Sequence, residues 1–526
     1  MQNQTAYLIT LISYFHSLNP RLLKTLSSLL LLILSYTNNF AQGRNNVWCF
    51  GDSAGINFNQ SPPVPIVTSV RSRGSCVSIA DSLGSLLFYA NDRVGNGNNS
   101  TRVWNVQHNL MSYGDSIQGE GLYNELIIIP KPNNTNTFYL FTGNEVFPGT
   151  EGLYYSLIDM SQSGGLGNVI QRNIQLNSNL IADCLTGIKH ANGRDWWLIS
   201  PSIESDTSNR FYIYLITPDS IYEPIIQDLG GTRGYGLTKL CFTKDGSHLM
   251  QINLGGFMAQ YDFDRCSGTI SNQQIIFPEQ LSNNDRYFFS GAYSPSGRFF
   301  YVTTTPYTIS YNVSRLIQFD LSASDIAASA DTLLIDSLPE NLGMLKLGSN
   351  NKLYLSSAYY VPSVPGNYPY PDSVYNNINM NLSVIENPDS LGSACNFQPY
   401  SFYLGGKRTY WGLPNNPDYE MGPVVGSVCD SLHLDVAQVN TTSAKLLIGP
   451  NPASRIMWIN ASVLKGRKGQ LKLFNSIGEL VYSKQLSIFN GGYATEEVDV
   501  SLFQNGLYFV KCETEKEVLS VKFVKN

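Results

Sequence analysis

The chain has 526 residues, with 34 Lys and Arg against 40 Asp and Glu and a formal net charge of −6. Charged residues make up 14% of the chain, well below the roughly 25% of an average soluble domain, while the apolar share of 43% is ordinary. That apolar share excludes a globally disordered chain, and the lack of a basic excess argues against nucleic-acid binding. The 32 Tyr, 44 Gly and 25 Pro favour strands joined by tight turns.

The N-terminal segment has the pattern of an export signal. Residues 25–36 form an apolar run that follows Arg21 and Lys24 and precedes Asn39-Phe40-Ala41. A basic flank, a short apolar centre and a small residue before the cleavage point are typical of a secretory signal peptide, which we predict over residues 1–41. The alternative is a membrane anchor, but so short a run does not cross about 30 Å of hydrocarbon as a helix. We therefore expect no transmembrane segment after signal removal.

Eight cysteines follow the predicted cleavage point. Export through an oxidising compartment allows disulfides, but the spacing leaves their pairing open. No C-x-x-C occurs, so neither a redox motif nor a zinc ribbon is indicated. Buried free thiols are the alternative for several of them. The positions are 49, 76, 184, 241, 266, 395, 429 and 512.

A two-strand pattern recurs along the body of the chain. A short apolar strand, a polar turn and an aromatic-rich strand occur six times, and the turns lie 50–59 residues apart, near residues 83, 133, 192, 245, 296 and 350. Asn, Asp and Gly in these turns tolerate the positive backbone angles of tight hairpins. Third strands usually follow, and fourth strands, such as IIQDLG and TLLIDSL, are less distinct.

Four-stranded units of this length without helices between them are typical of a β-propeller. We predict an all-β fold with a seven-bladed propeller over residues 47–415, with six or eight blades as alternatives. The seventh unit is expected to be shared, with the strands around residues 46–59 pairing with residues 409–415, which removes an exposed sheet edge. A two-sheet sandwich array is the rival fold, but it does not require an even step of about 50 residues.

Residues 47–415 also resemble a family of secreted propeller-like proteins from Bacteroidetes. The resemblance rests on phrases that include WCFGDSAGINFN, IIIPKPNNTNTFYLF, IKHANGRDWWLI, AYSPSGRFFYV and YWGLPN. These phrases are typical of strands and turns. The family carries no established catalytic residues, so the resemblance implies a fold and an export route but transfers no active site.

The C-terminal segment differs from the body in charge. Residues 445–526 contain 11 basic and 7 acidic side chains, which leaves 23 of the 34 basic and 33 of the 40 acidic ones for residues 1–444. Residues 416–445 are weakly patterned and are predicted to be a linker. The short alternating strands over 446–526 predict a small β-sandwich.

This tail resembles the C-terminal sorting domain of type IX secretion substrates. The resemblance implies entry to the periplasm by the signal peptide and passage through the outer membrane with the type IX secretion machinery as partner. The expected location is extracellular or on the outer-membrane surface, and an ordinary accessory sandwich is the alternative. The residues that carry the resemblance are Pro450, Asn451, Pro452, Gly478, Asp499, Gly506 and Tyr508.

No catalytic, metal or cofactor site is predicted. Gly51-Asp52-Ser53-Ala54-Gly55 matches G-x-S-x-G, but a nucleophile elbow requires a following helix, and the next residues, INFNQSPPVP, do not form one. The five His lack the H-E-x-x-H spacing of a zinc site. An enzyme is therefore the less favoured reading.

A binding or scaffold role is favoured instead. The long loop over residues 356–377 is rich in Tyr, whose rigid apolar ring and polar hydroxyl suit a glycan or peptide. The alternative is a loop folded over its own blade. A weaker candidate is the pair Arg102 and Trp104, beside the Asn-rich loop 91–100. The alternative function is a secreted glycosidase or lyase, which requires convergent carboxylates at the mouth of the channel. The tyrosines of the loop are Tyr359, Tyr360, Tyr368, Tyr370 and Tyr375.

Triplets of Asp, Ser or Thr, and an aliphatic residue recur along the chain. They resemble the O-glycosylation signal of exported Bacteroidetes proteins, while the alternative is that Asp-Ser forms turns before apolar strands. The resemblance implies sugars on Ser53, Ser82, Ser116, Ser220, Thr332, Ser337, Ser373, Ser390 and Ser431.

Overall fold

The structure is a computed structural model, and it divides into two compact units, Met1–His433 and Leu434–Asn526. The predicted signal peptide, Tyr368 and Pro450 lie outside the described residues. The residues that the structure describes are 43–93, 100–119, 122–144, 151–203, 209–230, 237–279, 287–305, 313–361, 369–430, 445–449, 451–462, 468–487, 494–514, 516 and 518–526.

The described part of the N-terminal unit contains strands and no α-helix, which confirms the all-β prediction. Its strands form seven antiparallel sheets, two with three strands and five with four. Within each sheet the strands pair in chain order. Short 3-10 turns lie at Ser163–Gly165, Ala327–Ser329 and Gly392–Cys395.

The sheets are numbered here in chain order. Sheet 1 contains β1 (Val47–Phe50), β2 (Asp52–Asn57) and β3 (Val64–Arg71), and sheet 2 contains β4 (Cys76–Ala80), β5 (Leu86–Arg93) and β6 (Ser100–Asn105). Sheet 3 contains β7 (Leu126–Pro130), β8 (Thr137–Asn144), β9 (Gly152–Asp159) and β10 (Asn168–Asn177). Sheet 4 contains β11 (Thr186–Lys189), β12 (Trp196–Pro201), β13 (Arg210–Ile216) and β14 (Ile225–Asp228).

The remaining sheets of this unit follow the same order. Sheet 5 contains β15 (Thr238–Phe242), β16 (His248–Asn253), β17 (Met258–Asp264) and β18 (Thr269–Phe277). Sheet 6 contains β19 (Phe288–Tyr293), β20 (Phe299–Thr304), β21 (Val313–Asp320) and β22 (Asp331–Ser337). Sheet 7 contains β23 (Glu340–Leu347), β24 (Leu353–Tyr359), β25 (Asn381–Ile385) and β26 (Phe397–Tyr403).

The first strands of consecutive sheets lie next to one another. Contacts run from β1 to β4, β7, β11, β15, β19 and β23 in turn. Sheet 7 then returns to sheet 1, because the Trp48 ring lies 5.7 Å from the Tyr354 ring and 5.6 Å from the Lys346 ammonium. First strands such as CVSIA and FFSGAY are buried along their whole length, which explains their nearly continuous apolar sequences. The region between these first strands is named here the channel.

Residues 408–430, named here the closing segment, occupy this channel. Its backbone bonds to first strands on different sides, since Met344 N donates to Trp411 O (2.7 Å) and Asn415 N donates to Cys76 O (2.9 Å). The Tyr419 hydroxyl donates to the Ile128 carbonyl at 3.1 Å. Part of the predicted linker, residues 416–430, therefore lies within the N-terminal unit.

The far end of the closing segment is held covalently. Cys429 forms a disulfide with Cys266, at the turn between β17 and β18, with a Cα–Cα distance of 5.8 Å. The Arg265 guanidinium donates to the Gly422 carbonyl at 2.6 Å. The spacing of the cysteines left this pairing open, and the other five cysteines of this unit are free thiols.

The start of the closing segment joins sheet 1 differently from the prediction. Strands β1, β2 and β3 pair with one another, and residues 409–415 add no strand to them. Instead, Asp52 N donates to Arg408 O at 2.8 Å, and the buried Arg408 guanidinium binds the Asp52 carboxylate (Nε–Oδ2 3.0 Å). A backbone bridge and an ion pair thus connect the two ends of the unit.

The C-terminal unit contains two antiparallel sheets. Met457 and Ile459 from the first sheet share a hydrophobic cluster with Leu471 and Val510 from the second. The first sheet contains β27 (Lys445–Gly449), β28 (Ile456–Ser462) and β31 (Ala494–Asp499). The second contains β29 (Lys468–Asn475), β30 (Leu480–Ser487), β32 (Gly506–Thr514) and β33 (Val518–Lys525).

Candidate binding channel

A cavity of about 220 Å³ lies in the channel, between the closing segment and strands β11, β15, β19 and β23. It is named here the lysine cavity. It is larger than the roughly 150 Å³ cavity that holds benzene in an engineered protein and smaller than the roughly 300–1,000 Å³ of drug-sized sites. Its polar lining includes Lys239, Lys346 and Asn416, and its apolar lining includes Ala292 and Leu413.

Lys239, the second residue of β15, has two amide acceptors. Its ammonium donates to Asn124 Oδ1 at 2.8 Å and to Asn415 Oδ1 at 3.2 Å. The Asn415 amide nitrogen in turn donates to the Leu126 and Leu185 carbonyls (3.0 and 2.8 Å). Lys239 therefore holds the closing segment in place.

Lys346, on β23, lacks such a set of partners. Its ammonium donates to the Asn416 carbonyl at 3.1 Å and lies 5.6 Å from the centre of the Trp48 ring. Burial, followed by the positive charge of Lys239, lowers the pKa of Lys346 from 10.5 to about 7. Asp418 acts on it through space, but no salt bridge to Lys346 occurs among the described residues. The amine thus lines the cavity without a paired anion.

Two further polar atoms of the lining are unpaired. The Asn416 side-chain nitrogen and the Asn45 side-chain oxygen are both buried, and neither has a hydrogen-bond partner in the described part of the chain. Their other amide atoms are used, since Asn416 Oδ1 accepts from Ser78 N (3.0 Å) and Asn45 Nδ2 donates to Pro417 O (2.9 Å). Buried polar groups are nearly always paired with protein, water or ligand, so these two atoms indicate room for a polar group in the cavity.

The opposite end of the channel contains three buried carboxyl groups, Asp92, Glu125 and Asp183, named here the acidic cluster. They are 0%, 2% and 2% exposed. Glu125 directly precedes β7 and Asp183 lies shortly before β11, whereas the lysine cavity reaches the ends of β15 and β23. Lys239 connects the two sites, because it lines the cavity and its charge also acts on Asp183, whereas Lys346 lies near the far end of its strand.

The carboxyls of the acidic cluster accept hydrogen bonds from nearby residues of the same unit. Asp183 accepts from the backbone N–H groups of Tyr123 (2.9 Å) and Asn124 (2.7 Å). Glu125 accepts from the Leu122 N–H, and Asp92 accepts from the Thr101 hydroxyl.

Burial also changes the acidity of these carboxyls. It raises the pKa of all three, and the charges of Asp92 and Asp183 raise the pKa of Glu125 further. Within the described residues, no group of three His, Cys, Asp or Glu side chains has the geometry of a metal site. Because the pKa of its carboxyls is raised, the acidic cluster can hold and share protons.

The tyrosines predicted to bind a ligand are divided between core and surface. Tyr370 is 4% exposed, its ring stacks on Tyr410 at 4.2 Å, and its hydroxyl accepts from Tyr359 N at 2.7 Å. Tyr360 and Tyr375 are 37% and 51% exposed. The Arg408 guanidinium lies 4.3 Å from the Tyr375 ring centre. The binding hypothesis for this loop therefore concerns Tyr360 and Tyr375.

Arg102 and Trp104 lie in β6 and are only partly exposed. Trp104 Nε1 donates to Asn91 Oδ1 at 2.8 Å, and its ring stacks on Tyr89 with the centroids 6.5 Å apart. These contacts give Trp104 a structural role, which leaves less of its ring available to a ligand.

Sequence reasoning did not identify the lysine cavity or the acidic cluster. One signal was available for the cavity, because Lys239 and Lys346 are single charges within the apolar stretches KLCFT and MLKLG. The acidic cluster has no such signal, since Asp92 lies in β5 while Glu125 and Asp183 precede two other strands, far apart in the chain.

Residues 448–526 match the family described as the secretion system C-terminal sorting domain. This confirms the predicted sorting domain at the end of the chain. A domain of this kind indicates secretion or delivery to the outer-membrane surface through the type IX system.

The motif residues of the sorting domain shape its turns and its core. Gly478 lies in the β29–β30 turn with φ +84°, a conformation that favours glycine. Asp499 accepts from Ser501 N at 2.9 Å, and Asn451 Oδ1 accepts from Val524 N at 2.9 Å. The Tyr508 hydroxyl donates to Gln504 O at 2.7 Å. Pro452 follows Asn451, and Gly506 begins β32.

Solved structures with some similarity include several propellers. The Dos1 propeller is 12% identical, with 70% of this chain and 86% of that chain covered and a TM-score of 0.35. A quinoprotein alcohol dehydrogenase-like protein from Bacteroides thetaiotaomicron is 10% identical, with 71% and 76% covered and a TM-score of 0.34. A luciferin-regenerating enzyme is 13% identical, with 55% and 84% covered and a TM-score of 0.32. At these scores nothing about activity or ligands follows from the similarity.

A search of curated protein sequences finds no match. In the part of the chain that the structure describes, no helix has the length and apolar character needed to span a bilayer.

Proposed function

We propose that the protein is an exported binding or scaffold protein, in which a seven-bladed β-propeller is carried to the cell surface or the medium by its C-terminal sorting domain. The family match over residues 448–526 is the observation that carries the export route. A signal peptide over residues 1–41 is the proposed first step of that route.

Three observations support the propeller. The seven sheets follow one another in chain order, their first strands are neighbours, and Trp48 of sheet 1 contacts Lys346 of sheet 7. We extend the propeller to residue 430, because the closing segment bonds to its first strands. For the tail, two sheets that share one hydrophobic cluster support a β-sandwich.

Export is tested by removing the sorting domain. A chain that ends at residue 433 is expected to accumulate in the periplasm, while the full-length chain reaches the medium or the cell surface, as measured by immunoblots of cell fractions. Equal amounts of both chains outside the cell would contradict the route.

The sequence predicts that the 356–377 loop binds glycans or peptides, and Tyr360 and Tyr375 are the tyrosines proposed to form this surface. Both rings are exposed, and Arg408 adds a cation beside the second. The double variant Tyr360→Ala/Tyr375→Ala is expected to lose at least ten-fold in binding on glycan and peptide arrays. The matched control is Tyr222→Ala, since Tyr222 is 51% exposed but belongs to another sheet. Equal loss in the control variant would reject this surface.

The acidic cluster is the place to test the alternative, a carbohydrate-active enzyme, although its carboxyls are 0–2% exposed. Glycosidases use a pair of carboxyls, one of which has a raised pKa, and burial raises the pKa of Asp92 and Glu125. The test is hydrolysis or elimination on a polysaccharide panel by the wild type, Asp92→Asn and Glu125→Gln. Activity that falls at least 100-fold in both variants would support an enzyme, and an inactive wild type would reject it.

A further inference from the structure

The lysine cavity contains a cation that the protein leaves without an anion. Lys346 has three N–H donors, and its described hydrogen bond goes to the Asn416 carbonyl. Lys239 differs, because two amide oxygens accept from it. Among the described residues, Lys346 therefore has two N–H donors without an acceptor, against one for Lys239.

A second unpaired donor belongs to a residue that contacts Lys346. The Asn416 side-chain nitrogen is buried and has no partner in the described part of the chain, and the backbone carbonyl of the same residue accepts from Lys346. An ammonium and an amide N–H that line one cavity can donate to the two oxygens of a carboxylate, and hydrogen bonds to an ionised group are the stronger ones.

The rest of the lining limits the charge and size of the ligand. Asp418 and Glu420 also line the cavity and partly balance the lysines, which disfavours a dianion such as phosphate. Ala292 and Leu413 provide apolar walls, and about 220 Å³ accommodates an acid no larger than a substituted benzene. Lys244 is exposed and lines the same cavity, so the cavity reaches the surface.

We propose that the lysine cavity binds a small organic monocarboxylate, whose carboxylate accepts from Lys346 and from the Asn416 side chain while its apolar body contacts Ala292 and Leu413. This inference deepens the binding role proposed above by naming a site and a ligand class, and it rests on that role.

The test compares acids with their neutral isosteres on the full-length protein. Acetate, butyrate and benzoate, together with acetamide, butyramide and benzamide, are titrated by calorimetry at pH 6.5. At least one acid is expected to bind ten-fold more tightly than its amide. Equal affinity, or no binding, for all three pairs would overturn the proposal.

Variants locate the binding within the cavity. Lys346→Met is expected to lower the affinity for the acid at least ten-fold, and Lys346→Gln provides a second variant of similar length. Lys407→Met is the matched control, because Lys407 lies outside the cavity lining. Unchanged affinity in both Lys346 variants would overturn the proposal.

The pH dependence gives a readout that needs no variant. Because the pKa of free Lys346 is about 7, the affinity of the acid is expected to fall at least ten-fold from pH 6 to pH 9. The other charges facing this amine are Lys239 and Asp418, and burial raises the pKa of the nearby thiols of Cys76 and Cys241, so that they stay neutral in this range. An affinity independent of pH would count against Lys346.

These outcomes separate the inference from the proposed function. If glycans or peptides on the arrays bind through Tyr360 and Tyr375 but no acid binds, the inference is rejected and the binding role stands. Binding of neither arrays nor acids would reject both and leave only the export route.

Discussion

Buried charge occurs at both ends of the channel, but its partners differ. At the acidic end, Asp183 accepts from two backbone N–H groups that are fixed by the chain itself. At the other end, Lys346 donates to one carbonyl and contacts one ring. A carboxyl with its own donors contributes to folding, whereas an amine without an anion weakens the fold and is available to a ligand.

The same contrast exists within the lysine cavity. Lys239 connects Asn124 to the closing segment through Asn415, while Lys346 makes one hydrogen bond to that segment, at the Asn416 carbonyl. Two lysines on first strands therefore have different roles, and the difference comes from residues far away in the chain.

Removing the carboxylate of Asp183 is the substitution with the largest expected effect. Asp183→Ala leaves the N–H groups of Tyr123 and Asn124 unpaired in a buried place, and we expect the free energy of unfolding to fall by about 2–5 kcal/mol. Urea unfolding followed by fluorescence measures this. The control is Asp219→Ala, an exposed Asp at a hairpin, which should change stability by about 0.5 kcal/mol or less. A loss as small as that of the control would show that the acidic end is not stabilised by its donors.

Replacing each of the two lysines by methionine in separate variants tests whether Lys239 and Lys346 have different roles. Lys346→Met removes a poorly paired charge and keeps the volume, so we expect the stability to rise by about 1–2 kcal/mol. Lys239→Met leaves the oxygens of Asn124 and Asn415 unpaired, and we expect a loss of about 1–3 kcal/mol. Thermal and urea unfolding of the two variants should thus move in opposite directions, and a loss in both would remove the distinction between the two amines.

The pH dependence of stability follows from three buried groups whose pKa differs between the folded and the unfolded chain. The pKa of Asp92 and Asp183 is raised above 3.8 by burial, so their contribution is fully present below that pH and is lost as the pH rises towards neutrality. The pKa of Lys346 is lowered from 10.5 to about 7, so its contribution is present above pH 10.5 and is lost as the pH falls through 7.

These three groups together predict a minimum of stability near pH 7. Urea midpoints at pH 4.5, 7 and 9.5 check it, and Lys346→Met should abolish the rise on the alkaline side. A midpoint that is highest at pH 7 would show that other groups outweigh the two ends of the channel.

Local patterns were sufficient to predict the strands and the hairpins. In the β15–β16 turn, for example, Asp245 Oδ1 accepts from Ser247 N at 3.0 Å, and that turn chemistry depends only on neighbouring residues. The sorting domain was recognisable for a similar reason, because its motif residues form local turns.

Contacts between distant residues were not predictable in this way. Asn415 bonds to Leu126 across 289 positions, and Arg408 bonds to Asp52 across 356. No periodicity in a single sequence connects such pairs. The region after residue 415 has few strand signals, because its backbone bonds to several sheets rather than to one neighbouring strand. It was therefore predicted to be a linker, although residues 416–430 belong to the N-terminal unit.

The closing segment has a consequence for the order in which the protein matures. It is the last part of the N-terminal unit to leave the ribosome, yet it supplies partners to strands that were made hundreds of residues earlier. Until it has arrived, the carbonyls of Leu126 and Leu185 and the ammonium of Lys239 lack the Asn415 amide that bonds to them. Gly412 lies so close to Gly74 that a methyl group at residue 412 would overlap the Gly74 carbonyl. An intermediate that stops before Gly412 would still be hollow and incompletely bonded. Completion of the interior thus depends on the last part of the unit to be synthesised, which directly precedes the C-terminal unit.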